Sequence, residues 1–207
     1  MNAFKQALNH FKQNWQFGLI LGSAAAFIVL FSRHIPYISS FLMSAGLLSL
    51  QQIADRKMRG EKGKTLLTAK ELTAFLVAAV VLFPTGVLLG SSMGILESPQ
   101  PLHMTMPLSL GLFILSIYFY LVLSQALRLR LESKVNIAKA IDVVGLNSFK
   151  RFRLYFSLSF YLAILVMISG LTWGAGFLLT LPLLFYVSYF SYLEVREQLI
   201  SASSLPQ

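Results

Sequence analysis

Six apolar runs, separated by polar or proline-containing connections, divide the chain. They cover residues 17–32, 35–53, 72–96, 108–127, 154–170 and 176–193. A helix needs about 20 mostly apolar residues to cross a bilayer, so each run predicts a transmembrane helix. The first run is short and must tilt or lie in a locally thin bilayer. The six spans pair along the chain into three in–out–in hairpins.

Two amphipathic stretches accompany these runs, at residues 1–16 and 128–153. Phe4, Leu8, Phe11 and Trp15 repeat at the spacing of one helical face, and lysines occupy another face. A short basic helix with an aromatic face suits the plane of the membrane interface. The same pattern also fits a helix packed on the bundle, so both placements stay open.

The composition agrees with a membrane protein. The 207 residues are 56% hydrophobic and only 12% charged, whereas a soluble domain is about 25% charged. This composition argues against a soluble enzyme domain and against a disordered chain. We therefore predict one all-α domain over residues 1–207: a polytopic membrane bundle of six transmembrane helices with two interfacial amphipathic helices.

The positive charges predict the orientation of the bundle. The formal net charge is +9. Every Lys and Arg except Arg33 falls in the two amphipathic stretches, in the 54–71 connection or after the last span. By the positive-inside rule, these segments and both termini are cytoplasmic. Nucleic-acid binding would need a recognisable basic module, and the sequence offers none, so nucleic acid is not an expected partner.

The six predicted spans contain no Asp, Glu, Lys, Arg or His. Ionisable groups at membrane depth are costly and usually mark proton or ion paths. Their absence argues against a proton-coupled pump and against a charged-ligand site at the midplane. A route for lipid or a neutral solute stays possible.

Small residues at four-residue spacing predict close helix packing. Gly86, Gly90 and Gly94 form one such stripe, and Gly18 and Gly22 form a shorter one. Spacing of this kind lets two helix backbones approach each other. The contact can lie within the chain or, alternatively, between two copies in a homo-oligomer.

Two prolines, Pro84 and Pro182, interrupt predicted spans and should kink them. Serines and tyrosines are frequent in spans 4 and 6; they include Ser116, Tyr118, Tyr120, Ser124, Ser188, Tyr189, Ser191 and Tyr192. Such groups can bond between helices or line a polar groove.

Catalytic and metal-binding patterns are absent from the sequence. Gly63-Lys64-Thr65 resembles the end of a phosphate-binding loop, but Met58 stands where that motif needs its first glycine. His10, His34 and His103 have no second ligand one helical turn away. We expect no catalytic residue, no metal and no cofactor.

Two groups of cytoplasmic basic residues predict contact with anionic lipid headgroups. They are Arg56, Lys57, Arg59, Lys62 and Lys64 in the first group, and Lys150, Arg151 and Arg153 in the second. The alternative is that these charges only record the topology.

Two segments carry a resemblance to a known family. The run from Ala45 to Glu61, which ends in Asp55-Arg56-Lys57-Met58-Arg59-Gly60-Glu61, resembles the close of the first hairpin in small bacterial inner-membrane proteins of unassigned function. The stretch from Asn147 to Tyr192, with Leu171-Thr172-Trp173-Gly174-Ala175-Gly176 ahead of Leu181-Pro182-Leu183, is similar to their final hairpin. That family is related to the membrane domain ahead of some glycerophosphodiester phosphodiesterases. The resemblance implies six helices in a bacterial inner membrane and brings no catalytic residues.

We therefore expect a non-enzymatic inner-membrane protein that acts by interaction, as a scaffold, an assembly factor or an envelope-homeostasis component. Its expected partners are membrane lipids and either a second copy or another protein. The alternative is a transporter or lipid-handling component for a neutral or lipidic substrate.

Overall fold

The computed structural model is helical throughout the parts it describes, and no strand occurs in them. It describes residues 2–32, 39–60, 101–171 and 176–204, together with positions 80, 87–88, 91 and 94–95. The all-α prediction is thereby confirmed. Most of predicted span 3, with Pro84, Gly86 and Gly90, lies outside the described residues, as do Lys62 and Lys64.

Seven helices make up the described structure. They are α1 (Asn2–Gln13), α2 (Trp15–Ser32), α3 (Ser39–Met58), α4 (Leu102–Ser133), α5 (Ile137–Lys150), α6 (Phe152–Leu171) and α7 (Phe177–Ser204). Three described helices contain segments long and apolar enough to cross a membrane: Thr105–Ser133, Phe152–Ser169 and Phe177–Ser203. A shorter apolar helix spans Trp15–Ile28. These segments correspond to predicted spans 4, 5, 6 and 1.

Helix α7 forms the centre of the bundle. It packs against each of the other six helices. Every residue from 181 to 188 is buried, because the neighbouring described helices surround this part of α7. Pro182 lies inside α7 within this buried stretch.

Local signals explain how α4 turns into α5. Lys134 ends α4 in the left-handed conformation, with φ of 53°, and its N–H bonds the Arg130 carbonyl at 2.9 Å. The side chain of Asn136 then accepts a hydrogen bond from the Ala138 N–H at 3.3 Å and caps α5. The connection is therefore only three residues long, and α5 must turn back sharply.

Helix α5 runs back along α4. The Ser148 and Tyr118 hydroxyl groups lie 2.9 Å apart, although Tyr118 is fifteen residues before the end of α4. Ala140, Val144 and Ser148 form the buried face of α5. Of the predicted amphipathic stretch 128–153, only 137–150 is a separate amphipathic helix, because 128–133 continue α4 without a break.

Two apolar helices extend six or more residues beyond one end of their predicted spans. Helix α4 begins at Leu102, six residues before the predicted span, and contains Pro107. Helix α7 continues to Ser204, eleven residues past the predicted end. The added ends contain polar residues, and they continue as helix because one face still packs on neighbours, with Val195 and Leu199 buried.

Helix α1 packs on the bundle, chiefly on α7. Its buried residues are Ala3 and Ala7. The His10 ring meets the Tyr186 ring edge-on, with 4.9 Å between the ring centroids. Leu8 and Trp15, which the sequence placed on the apolar face, are exposed.

Candidate functional site

The most polar part of the interior is an ion pair between α3 and α4. Arg128 Nε donates to Asp55 Oδ2 at 2.7 Å, and Arg128 Nη2 donates to Asp55 Oδ1 at 3.0 Å. Asp55 is 7% exposed and Arg128 is 6% exposed. A bidentate guanidinium–carboxylate pair fixes both side chains in one geometry.

Helix α7 completes the surroundings of this pair. Arg128 Nη1 donates to the Ser188 carbonyl at 3.0 Å and to the Ser188 hydroxyl at 2.8 Å. The Ser188 hydroxyl lies 2.7 Å from that of Ser124 on α4. The Tyr189 ring centroid is 5.8 Å from the guanidinium carbon. One arginine thus joins three helices.

A second link between α3 and α4 lies one or two turns away. The Tyr120 hydroxyl donates to Gln51 Oε1 at 2.7 Å. Gln51 and Asp55 are four residues apart on α3, and Tyr120, Ser124 and Arg128 are spaced by four on α4. Each set therefore lies on one helical face, and the two polar faces meet.

Helix α6 joins through Gln125. The Tyr155 hydroxyl donates to Gln125 Oε1 at 2.6 Å, and Gln125 Nε2 donates to the Ser191 hydroxyl at 3.0 Å. All three side chains are buried. We call the whole set the interior polar cluster; it comprises Gln51, Asp55, Tyr120, Ser124, Gln125, Arg128, Tyr155, Ser188 and Ser191.

The side chains of the interior polar cluster link helices to one another. Arg128 uses donors on all three guanidinium nitrogens, and each Asp55 carboxylate oxygen accepts from it. Buried charges are tolerated when they are paired and hydrogen-bonded in this way. The cluster connects α3, α4, α6 and α7 by directional bonds that apolar packing alone would not provide.

The sequence does not predict this cluster, because the predicted end of span 4 at residue 127 leaves Arg128 outside. In the structure the apolar segment of α4 continues from Thr105 to Ser133 and includes Arg128. The apolar segment of α4 therefore extends beyond the predicted end of span 4 and includes an ionisable residue there. The available signal was the four-residue spacing of Ser116, Tyr120, Ser124 and Arg128, which continues past the predicted end.

The structure places two of the predicted packing glycines against neighbouring side chains or backbone. A Cβ at Gly18 would lie 2.5 Å from the Phe11 ring of α1. A Cβ at Gly22 would lie 2.7 Å from the Leu178 carbonyl carbon of α7. Around Gly94, no atom of the described residues lies within 4 Å of a would-be Cβ.

The described basic residues lie at two separate places. Arg56, Lys57 and Arg59 lie at the end of α3 and just beyond it, with Lys57 Nζ 5.9 Å from the Phe17 ring centroid. Lys150, Arg151 and Arg153 lie where α5 meets α6. Arg151 Nη2 donates to Gln198 Oε1 of α7 at 2.7 Å.

Comparison of the chain with protein-family models, with curated proteins and with solved structures found no match. Within the described ranges, no group of three or more His, Cys, Asp or Glu residues could hold a metal ion.

Proposed function

We propose that this chain is a six-span bacterial inner-membrane protein, with both termini cytoplasmic, that acts by interaction and not by catalysis. In this proposal it serves as a scaffold, an assembly factor or an envelope-homeostasis component. The three apolar segments of α4, α6 and α7 support membrane insertion. The inner membrane and the six-span count come from the sequence pattern and the family resemblance.

The directions of the helices support the three-hairpin order. Gln51 pairs with Tyr120 and Asp55 with Arg128, so α3 and α4 run parallel. Arg128 pairs with Ser188, and Glu132 with Arg196, so α4 and α7 also run parallel. Three in–out–in hairpins require their second helices to share one direction, and these three helices do.

Helix α6 runs the opposite way, as the first helix of a hairpin should. Ser169 and Thr180, near the 172–175 connection, have hydroxyl groups 3.0 Å apart. Arg151 and Gln198 meet at the other end of the pair.

One observation carries the interaction role. The side chains of the interior polar cluster form hydrogen bonds to one another. Groups that could bind a solute or move a proton here, chiefly Asp55, Arg128 and Gln125, are held by neighbours within the chain. An interior of this kind stabilises the bundle. Interactions with other molecules then fall to the outer surface.

The transport alternative needs a polar groove formed by the serines and tyrosines of predicted spans 4 and 6. Four of these eight side chains, Tyr120, Ser124, Ser188 and Ser191, belong to the interior polar cluster. Tyr118 bonds Ser148 of α5. Their use as links between helices favours the interaction role over a groove.

Purification of the full chain in a mild detergent tests the proposal. We expect a stable homo-oligomer or a stoichiometric complex with one identified protein, measured as the mass of the protein component after subtraction of detergent. A lone monomer that binds a neutral solute or transports it in liposomes would contradict the interaction role and favour the transport alternative.

A further inference from the structure

We propose that the junction of α5 and α6 is a binding site for anionic phospholipid headgroups. This basic junction comprises Phe149, Lys150, Arg151, Phe152 and Arg153. The inference rests on the membrane placement in the proposed function, and it distinguishes this site from the other basic residues of the chain.

Two hydrogen bonds hold the basic junction at a defined level of the bundle. Ser148, just before it, bonds Tyr118, and Tyr155, just after it, bonds Gln125. Both partners are on α4, well before its end at Ser133. At 1.5 Å per residue, Tyr118 lies roughly 22 Å back along the helix from that end.

That level is where a membrane span begins. The apolar segment of α6 starts at Phe152, so the basic junction coincides with the entry of α6 into the bilayer. The cytoplasmic headgroup layer occupies this depth, and positive charges there attract anionic lipid. Arg128 lies ten residues beyond Tyr118, or about 15 Å along α4 toward the cytoplasmic end. The Asp55–Arg128 pair thus avoids the centre of the hydrocarbon.

The aromatic residues of the junction point to lipid and not to a soluble anion. Phe149 is 73% exposed and Phe152 is 51% exposed. Phe152 stacks on Phe156 with 5.4 Å between ring centroids, and Phe156 on Phe160 with 6.5 Å. This line of exposed rings leads along α6 away from the basic residues. A lipid offers a phosphate for the charges and acyl chains for the rings.

The charges of the junction are available for a headgroup. Within the described part of the chain, no carboxylate lies within ion-pair distance of Lys150, Arg151 or Arg153. Arg151 is held by the neutral Gln198 side chain through one N–H of Nη2. Arg151 is thereby positioned without being neutralised, and a guanidinium suits phosphate oxygens well. Arg56 and Arg59 of the other group already have partners.

Native mass spectrometry of the full chain, purified in mild detergent and titrated with phosphatidylglycerol or phosphatidylcholine, tests the site. The test variant is Lys150→Gln/Arg151→Gln/Arg153→Gln. The control variant, Lys5→Gln/Lys12→Gln/Lys134→Gln, removes the same charge from other exposed positions. We expect phosphatidylglycerol to bind the wild type and the control, and to bind the test variant on the order of tenfold or more weakly.

Two further measurements separate lipid binding from loss of folding and from binding of free phosphate. The variant Lys150→Arg/Arg153→Lys keeps the charges and should bind like the wild type. Inorganic phosphate should not displace the lipid beyond the effect of chloride at equal ionic strength. Equal loss in the test and control variants, or displacement by phosphate, would overturn the lipid site. Release of the protein from membranes by alkaline carbonate would instead overturn the proposed function.

Discussion

Gly22 of α2 lies against the Leu178 carbonyl group of α7, so closely that an added Cβ would overlap the carbonyl oxygen. In a regular helix this carbonyl would accept the N–H of the residue four positions later. That residue is Pro182, which has no N–H. The proline leaves the carbonyl without its usual donor, and the glycine lets α2 approach it. A Cα–H···O contact of this kind is weak but favourable.

Replacing Gly22 by alanine should therefore separate α2 from α7. We expect Gly22→Ala to lower the free energy of unfolding by about 1–3 kcal/mol, because the methyl group overlaps backbone that cannot rotate away. Thermal unfolding of the purified protein in detergent would measure this loss.

Gly111→Ala is the matched control. Gly111 lies inside α4, and among the described residues no atom lies within 4 Å of a would-be Cβ, so alanine should be neutral or stabilise by about 0.5–1 kcal/mol through helix propensity. Equal effects of the two substitutions would show that the α2–α7 approach does not need a glycine.

Breaking the Asp55–Arg128 pair on one side should destabilise the bundle strongly. Asp55→Leu leaves the buried guanidinium without its carboxylate, and a loss of about 3–5 kcal/mol is expected. Arg128→Met should have a similar effect. The double variant Asp55→Leu/Arg128→Met should recover most of the loss, because two apolar side chains replace a matched pair. Additive losses in the double variant would contradict the pairing.

The Tyr155–Gln125 bond should contribute a smaller but measurable amount. Tyr155→Phe removes the donor and leaves Gln125 Oε1 unsatisfied inside the bundle, at a cost of about 1–3 kcal/mol. Tyr161→Phe, on the same helix at a position 54% exposed, should change the unfolding free energy by less than about 0.5 kcal/mol. Similar values for both variants would mean that the hydrogen bond contributes little.

His10 should make the docking of α1 depend on pH. Partial burial lowers the pKa of the His10 imidazole below its ordinary value, since the ring sits against Tyr186 and Phe190. Below pH about 6.5 the unfolded chain takes up the proton more readily than the folded protein. The free energy of unfolding should therefore fall as pH falls through this range and through the lowered pKa.

The variant His10→Phe isolates this effect, because it keeps an aromatic ring and removes the titration. Denaturant unfolding at pH about 7.5 and about 5.5 should show a smaller loss of stability on acidification for the variant than for the wild type. An unchanged pH dependence in His10→Phe would assign the effect to other groups.

Much of the helical layout follows from the sequence, because long apolar runs have few alternatives to helix. The predicted run at 154–170 lies within α6 (Phe152–Leu171). The helix begins two residues earlier and ends one residue later than predicted. The helix ends were harder to predict where polar residues continue a helix that still packs, as in α4 beyond residue 127. The antiparallel packing of α5 on α4 depends on the left-handed conformation of Lys134 and on tertiary contacts. The spacing of apolar residues in the sequence predicts neither of them.

The interior polar cluster was harder to predict than the helices. Ser124 and Ser188 could be named as polar positions within spans, and the structure shows them bonded to each other. The partner of Arg128 could not be named, because Asp55 is 73 residues away on a different hairpin. Only the packing of α3 and α4 on α7 brings these charges together.

In the proposed topology, a membrane-embedded bundle keeps its basic connections and both chain ends on the cytoplasmic face. The chain contains no cysteine, so single cysteines can be labelled without background in spheroplasts by a membrane-impermeant maleimide. Suitable exposed positions are Asn2, His103, Lys134 and Ala202. This topology predicts that His103→Cys reacts in intact spheroplasts and that the other three react only after permeabilisation. Labelling of His103→Cys and Lys134→Cys from the same side would contradict it.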